Sequence, residues 1–259
     1  MSSFFFRTLK LLMVLGESEL SKQIYATSFD DCEDRKTNIP LGVWYEEVKL
    51  CFVREPKGKH VSRMGFFSSG VKWLMPEEAA FLVAEGEMEL ATIDEKFSTK
   101  LVLLDSPIAF ELVYRGLAFH KVELADYYVY VALKKLRFNV FRSINWNGTD
   151  LVPESIPSGE CDPEEKLILR FNSYTPNSKF CLRDKSTTPQ FQVAVSRPYD
   201  QVPSVTKMNQ LGKQCGEMGT KLRIGMFDGS SVSFVQVEPF RLQNAADLAN
   251  HLDNKALVT

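Results

Sequence analysis

The chain has 259 residues, 44% hydrophobic and 25% charged, which is ordinary for a globular protein and enough for one large domain or two small ones. Its formal net charge of -2 excludes a whole-molecule basic field, so any contact with nucleic acid must come from a local patch. Five cysteines (Cys32, Cys51, Cys161, Cys181, Cys215) are odd in number, widely spaced and without a C-x-x-C pair, which argues against a disulfide framework or zinc site and for a reducing compartment.

In chain order, Arg7 and Lys10 interrupt the apolar N-terminus and leave Leu11 to Leu15 as its longest uncharged core. That is short for a signal peptide and far too short to span a bilayer. A mitochondrial presequence stays open; the expectation for residues 1–40 is a poorly ordered extension, or a short helix packed on the body, ending in the polar run Asp30 to Lys36. The sequon at Asn147 is read as chance.

Residues 41–118 read as a small α/β domain. Paired strands joined by the basic turn Pro56-Lys57-Gly58-Lys59 are followed by a strand end at Trp73 and a helix over Pro76 to Glu85. Pro76 suits the first helical position, where its missing N–H would have no partner. Glu77 and Glu78 then sit where the helix dipole favours negative charge. A strand around Met88 to Ile93 and a helix from Pro107 to Tyr114 come next, with Ser106 as N-cap and Gly116 past the end.

Residues 119–240 read as a second α/β unit, so the fold class is α/β in the broad α+β sense. Its first helix spans Val122 to Arg137, with Leu124, Tyr128, Val131 and Leu136 at helical spacings. Lys134, Lys135 and Arg137 read as a charge cluster complementing the helix C-terminus rather than as a nucleic-acid site. Tyr127, Tyr128 and Tyr130 read as core or interface aromatics rather than base-stacking residues. A strand at Phe138 to Phe141 precedes a proline-rich, acidic insertion over residues 143–165, whose Glu154 to Glu165 part reads as a flexible linker. Strands are predicted at Leu167 to Tyr174 and Phe191 to Ser196, a helix at Ser204 to Gln214, and a hairpin pairing Leu222 to Phe227 with Val232 to Val237 around Asp228-Gly229. Residues 241–259 read as a tail.

The basic turn, the step Met64-Gly65-Phe66 and the run Leu74-Met75-Pro76-Glu77-Glu78-Ala79 together resemble one family, the N-terminal domain of subunit 54 of the eukaryotic tRNA-splicing endonuclease. The resemblance extends over roughly residues 38 to 240, since Tyr127 to Tyr130, Lys134 to Arg137 and the aromatic strand after them are similar to the start of the family's catalytic-type domain. Catalytic members of that family cut RNA without metal and leave a 2′,3′-cyclic phosphate. A tyrosine helps remove the 2′-hydroxyl proton, a histidine protonates the leaving oxygen, and a lysine stabilises the charged transition state.

The resemblance places Tyr174 at or near the tyrosine position and Lys221 near the lysine position, while Thr187, Thr188, Pro189 and Gln190 fill the segment where the histidine should stand. None of the four donates a proton usefully at neutral pH. The remaining histidines are His60, His120 and His251. The run from Pro198 to Ser204 is similar to the non-catalytic subunit. The implied function is therefore a structural subunit of the tRNA-splicing endonuclease complex, a heterotetramer, that positions intron-containing precursor tRNA. It would pair with the catalytic subunit 2, alongside subunits 34 and 15, without cofactor, metal or membrane. Localisation would be nuclear, or at the cytosolic face of mitochondria.

Lys57, Lys59, His60 and Arg63 are the RNA-binding candidates, weighed evenly against a solvated turn with a slight lean to RNA. Leu222, Ile224, Met226, Val232, Phe234 and Val235 are the subunit-interface candidates, weighed against an ordinary internal hairpin. Two rival readings stay open. A catalytic subunit with a relocated acid would need His120 or His60 beside Tyr174 and Lys221. A stand-alone RNA-binding adaptor would bind through residues 40–120 alone.

Overall fold

The computed structural model describes residues 38–55, 58–68, 71–93, 101–143, 167–176, 188–200 and 203–238, with the side chains of Glu55 and Lys59 left out. Residues 1–37 of the N-terminal extension, Lys57, the linker Glu154 to Glu165, Thr187, His251 and the tail 241–259 lie outside the described residues.

Among the described residues, two mixed sheets and five helices form an α+β architecture. The first sheet contains β1 (Leu41–Tyr45), β2 (Leu50–Glu55), β3 (Phe66–Ser68), β4 (Val71–Leu74), β5 (Glu89–Ile93) and β6 (Leu101–Leu103), in the spatial order β3-β4-β2-β1-β5-β6. Only β1 and β5 run parallel in it. With it come α1 (Lys59–Ser62, a single turn), α2 (Pro76–Ala84) and α3 (Ser106–Phe119). The second sheet orders as β11-β10-β9-β8-β7, from β7 (Asn139–Arg142), β8 (Leu169–Tyr174), β9 (Phe191–Ser196), β10 (Lys221–Phe227) and β11 (Val232–Val237). Its one parallel pair is β9 with β10. Helices α4 (Leu124–Lys135) and α5 (Val205–Glu217) cover its two faces.

The first hairpin differs from the sequence expectation. The turn joining β1 to β2 is the acidic stretch Glu46 to Lys49, closed by Lys49 in the left-handed region at φ 54. The basic segment instead leads from β2 into α1, and β3 then pairs back on β4. Between α1 and β3, Gly65 has φ 73, and a Cβ there would lie 2.1 Å from the Trp73 carbonyl oxygen. Only glycine permits that step.

Pro76 opens α2 as predicted, but its two acids do more than complement a dipole. Both are buried. The Glu78 carboxylate accepts the Met75 N–H at 2.8 Å and the Gly65 N–H at 2.7 Å, satisfying one orphan donor at the helix start and one from the preceding turn.

Helix α3 runs through Gly116 instead of stopping before it. A Cβ at Gly116 would lie 2.5 Å from the Trp44 ring, so this glycine lets a helix approach a buried indole and is not a stop signal. On α4 the buried side chains are Ala125, Asp126, Tyr127, Val129, Tyr130 and Leu133, whereas Leu124, Tyr128 and Leu136 are exposed. The stripe expected to face the core is thus largely the outer one. Tyr128 nevertheless stacks on Phe227, with ring centroids 4.8 Å apart.

The largest apolar cluster runs through both halves. It joins Trp44, Leu74, Phe81 and Leu90 to Val113 and Leu117, and then to Val129, Tyr130 and Leu133 of α4, with Phe171, Phe191 and Val193 of the second sheet below. A second cluster lies on the first sheet around Phe52 and Trp73, and a third joins Leu222, Ile224 and Ala194 to Leu211 and Cys215 of α5.

Candidate functional site

Four strand ends meet at one end of the second sheet. Strand β7 begins at Asn139, β8 ends at Tyr174, β9 begins at Phe191 and β10 begins at Lys221. Register fixes their faces. Ser173 lies opposite Phe191, and Phe191 lies opposite Lys221, so these three share the face turned to α4, where Phe191 joins the main core. Tyr174 lies opposite Asn139 and falls on the other face, its ring edge-on to Phe141 at 5.8 Å. Burial raises its hydroxyl pKa. Lys221 is exposed.

The tyrosine and lysine of the sequence analysis therefore share an end of the sheet but not a face. With β9 between their strands, the two chains run about 10 Å apart. Gln190, the last residue of the segment expected to hold the histidine, ties these strands together. The Gln190 N–H donates to the Ser173 carbonyl at 2.9 Å, its own carbonyl accepts from the Lys221 N–H at 3.3 Å, and its side chain accepts from the Thr175 hydroxyl at 3.0 Å. These are ties of structure, and none supplies a titrating donor near neutral pH.

The two described histidines are engaged in the first half of the chain. His120 caps α3, and its ring Nε2 donates to the Val48 carbonyl at 3.0 Å. Burial, helped by the nearby Arg142 charge, pushes its pKa down to about 4, so it is neutral at pH 7. His60 Nδ1 lies 2.5 Å from the Glu87 carboxylate. Both of these partners belong to the first half of the chain. Among the described residues no group of three or more His, Cys, Asp or Glu side chains could hold a metal ion. No described helix is long and apolar enough to cross a membrane.

Of the RNA-binding candidates, His60 is exposed on α1 and Arg63 is half-buried at its C-cap. Of the interface candidates, Leu222 and Ile224 are buried under α5, and Val232 and Phe234 pack partly against the main core. Met226 and Val235 are 40% and 45% exposed. Strand β11 has β10 as its one neighbour among the described residues, so it forms an edge of the sheet. Asp228 holds the hairpin turn, accepting from the backbone N–H and hydroxyl groups of Ser230 and Ser231, which lowers its pKa.

One joint escaped the sequence. Arg142, at the end of β7, donates from Nε and Nη2 to the two carboxylate oxygens of Glu77 at the start of α2, 65 residues earlier. No local pattern announces a pair at that separation.

A comparison with curated proteins finds no match. The family model described as tRNA-splicing endonuclease subunit sen54 N-term matches residues 33–92, a span that includes β1, β2, α1, β3, β4 and α2 and reaches into β5. The match supports a subunit 54 assignment through this N-terminal domain, and with it membership of the tRNA-splicing endonuclease complex.

Proposed function

We propose that this chain is a structural, non-catalytic subunit of the tRNA-splicing endonuclease, one that holds intron-containing precursor tRNA by its mature body while a partner subunit cuts. The observation that carries the reading is a sen54 N-terminal domain followed by a second sheet in which Tyr174 and Lys221 diverge to opposite faces, with no histidine between them among the described residues. Metal-free cleavage needs base, acid and charge stabiliser around one phosphate. Among the described residues this corner offers no such set, and His60 and His120 are held by Glu87 and Val48.

The exposed apolar side chains at the β11 edge favour a subunit over a self-contained adaptor, since an unpaired edge is a ready template for another chain. The partners expected are subunits of the types 2, 34 and 15. The compartment expected is the nucleus, with the cytosolic face of mitochondria as the alternative.

The test is a tagged pull-down of the full chain from its native cell, with co-purifying chains identified and the eluate assayed on intron-containing precursor tRNA. Recovery of splicing-endonuclease subunits with cutting activity, beside an inert isolated chain, is the expected result. An isolated chain that cuts RNA and loses that activity on Tyr174→Phe would overturn the non-catalytic assignment. A chain with neither partner nor activity would overturn the subunit assignment.

A further inference from the structure

We propose that Asp228-Gly229 is a latent site of isoaspartate formation, and that the Ser230 and Ser231 hydroxyls guard it by pinning the Asp228 carboxylate. The reaction needs only the chain and water. The Gly229 amide nitrogen loses its proton and bonds to Asp228 Cγ. A carboxyl C–O bond breaks, water leaves, and a succinimide ring closes. Water then opens the ring at either carbonyl. Opening at the Cγ carbonyl restores aspartate, whereas opening at the main-chain carbonyl leaves isoaspartate, whose backbone runs through Cβ.

The fold supplies both the hazard and the guard. Residues 228–231 are all exposed, so water reaches every bond involved. Gly229 has no side chain to hinder attack by its nitrogen, and a Cβ built on it would meet nothing within 4 Å. Its φ of 97 favours glycine, so the hairpin cannot exchange it without strain. The restraint therefore falls to Asp228. Its Oδ1 accepts the Ser230 N–H at 2.8 Å, the Ser230 hydroxyl at 3.0 Å and the Ser231 N–H at 2.7 Å. Its Oδ2 accepts the Ser231 hydroxyl at 2.8 Å. With both oxygens taken, Cγ cannot swing onto the next nitrogen without giving up bonds to two residues. The N–H groups of Ser231 and Ser230, and then their hydroxyls, lower the carboxyl pKa. That keeps the group ionised, and a carboxylate is a poor electrophile for an amide nitrogen. Any residue at these positions brings the N–H donors, so the hydroxyls are what serine adds. Isoaspartate would insert one backbone carbon between β10 and β11, just past the pairing of Phe227 with Val232, where the turn fixes the register.

The experiment incubates the purified full chain at neutral pH and follows isoaspartate at position 228 by digestion and electron-transfer fragmentation, which distinguishes the two backbones. The parent, Ser230→Ala, Ser231→Ala, the double variant and Ser231→Thr are compared with a free peptide of residues 224–235. Leu82→Ala, a truncation in the buried core of the first half, shows what a general loss of stability does to the same site. Thermal melting is recorded for every chain. The parent is expected to react at least roughly tenfold more slowly than the peptide, and each alanine variant about threefold to tenfold faster than the parent. Ser231→Thr, which keeps a hydroxyl, is expected to hold the parent's rate. A parent that reacts as fast as the peptide would mean that nothing guards the site. Alanine variants that react at the parent's rate would remove the hydroxyls from the account. Equal acceleration in Leu82→Ala would assign the effect to unfolding and overturn the proposal.

Discussion

Arg142 closes a two-pronged ion pair on Glu77, so the last residue of β7 is fastened to the first turn of α2. Glu77 is only 2% exposed, which makes each charge dependent on the other. Glu77→Gln or Arg142→Met alone should cost about 3 kcal/mol, since either leaves a charge short of its partner in a desolvated place. The double variant should cost less than the sum of the two. Urea denaturation of the four proteins tests this, and simple additivity would mean the pair is not coupled.

Between about pH 4.5 and 6.5 two buried groups should pull the pH dependence of stability in opposite directions. Burial, reinforced by the neighbouring Glu77 charge, raises the Glu78 pKa from 4.5 to about 7. In that window the folded carboxyl keeps a proton that the unfolded one releases, so this group makes stability fall as pH rises. His120 acts in the opposite sense. Its pKa drops from 6.5 to about 4, so the unfolded ring binds the extra proton and stability rises with pH. Glu78→Gln should leave the His120 rise visible, and His120→Asn the Glu78 fall, each about 2 to 3 kcal/mol across the window. Denaturation midpoints at several pH values decide it, and two variants sloping the same way would refute the opposition.

Gly116→Ala carries two opposing effects. Alanine gains about 1 kcal/mol of helix propensity over glycine. The new methyl group meets the buried Trp44 ring at 2.5 Å, and forced repacking of this kind costs about 1 to 3 kcal/mol. The net expectation is a loss of stability with a shift in tryptophan emission. A stabilised variant with unchanged emission would show that the indole has room to move.

Tyr174→Phe and Lys221→Ala should leave cleavage of precursor tRNA by the assembled complex within about twofold of the parent. Removing a true proton-transfer group commonly costs a hundredfold or more. Single-turnover cleavage rates separate these outcomes cleanly.

At the β11 edge, Val235→Lys should leave the stability of the isolated chain within about 0.5 kcal/mol, because the side chain is exposed there. Recovery of partner subunits in a pull-down should fall, since an edge lysine discourages strand addition. Undiminished recovery would move the interface elsewhere.

The elements with a strong local signature were legible from the chain alone. Pro76 followed by two acids marked the start of α2, and Asp228-Gly229 between two apolar runs marked the last hairpin. The less legible features depended on partners distant in sequence. On α4 the set Leu124, Tyr128, Leu136 and the set Ala125, Val129, Leu133 both satisfy helical spacing. The second set won because the helix is wedged between α2 and the second sheet, where small and branched side chains fit and a tyrosine pair can be enclosed. Gly116 read as a terminator because nothing local reveals that Trp44 lies against it. Strands predicted to end at Tyr174 and to begin at Leu222 assign neither Tyr174 nor Lys221 to a face, and the alternation that separates them emerges only from strand register.

The cluster that joins Trp44 and Phe81 to Tyr130 and Phe191 bears on how the protein can be dissected. A truncation just before Leu124 would remove α4 and strip the cover from Phe81, which meets the Tyr130 ring edge-on at 6.2 Å. The complementary fragment would carry an α4 with its buried face turned to water. Either half would present sticky apolar surface to any RNA or protein in the assay. Apparent binding by such a fragment would therefore report exposed interior, and functional mapping of this chain is better done by point substitution in the intact molecule.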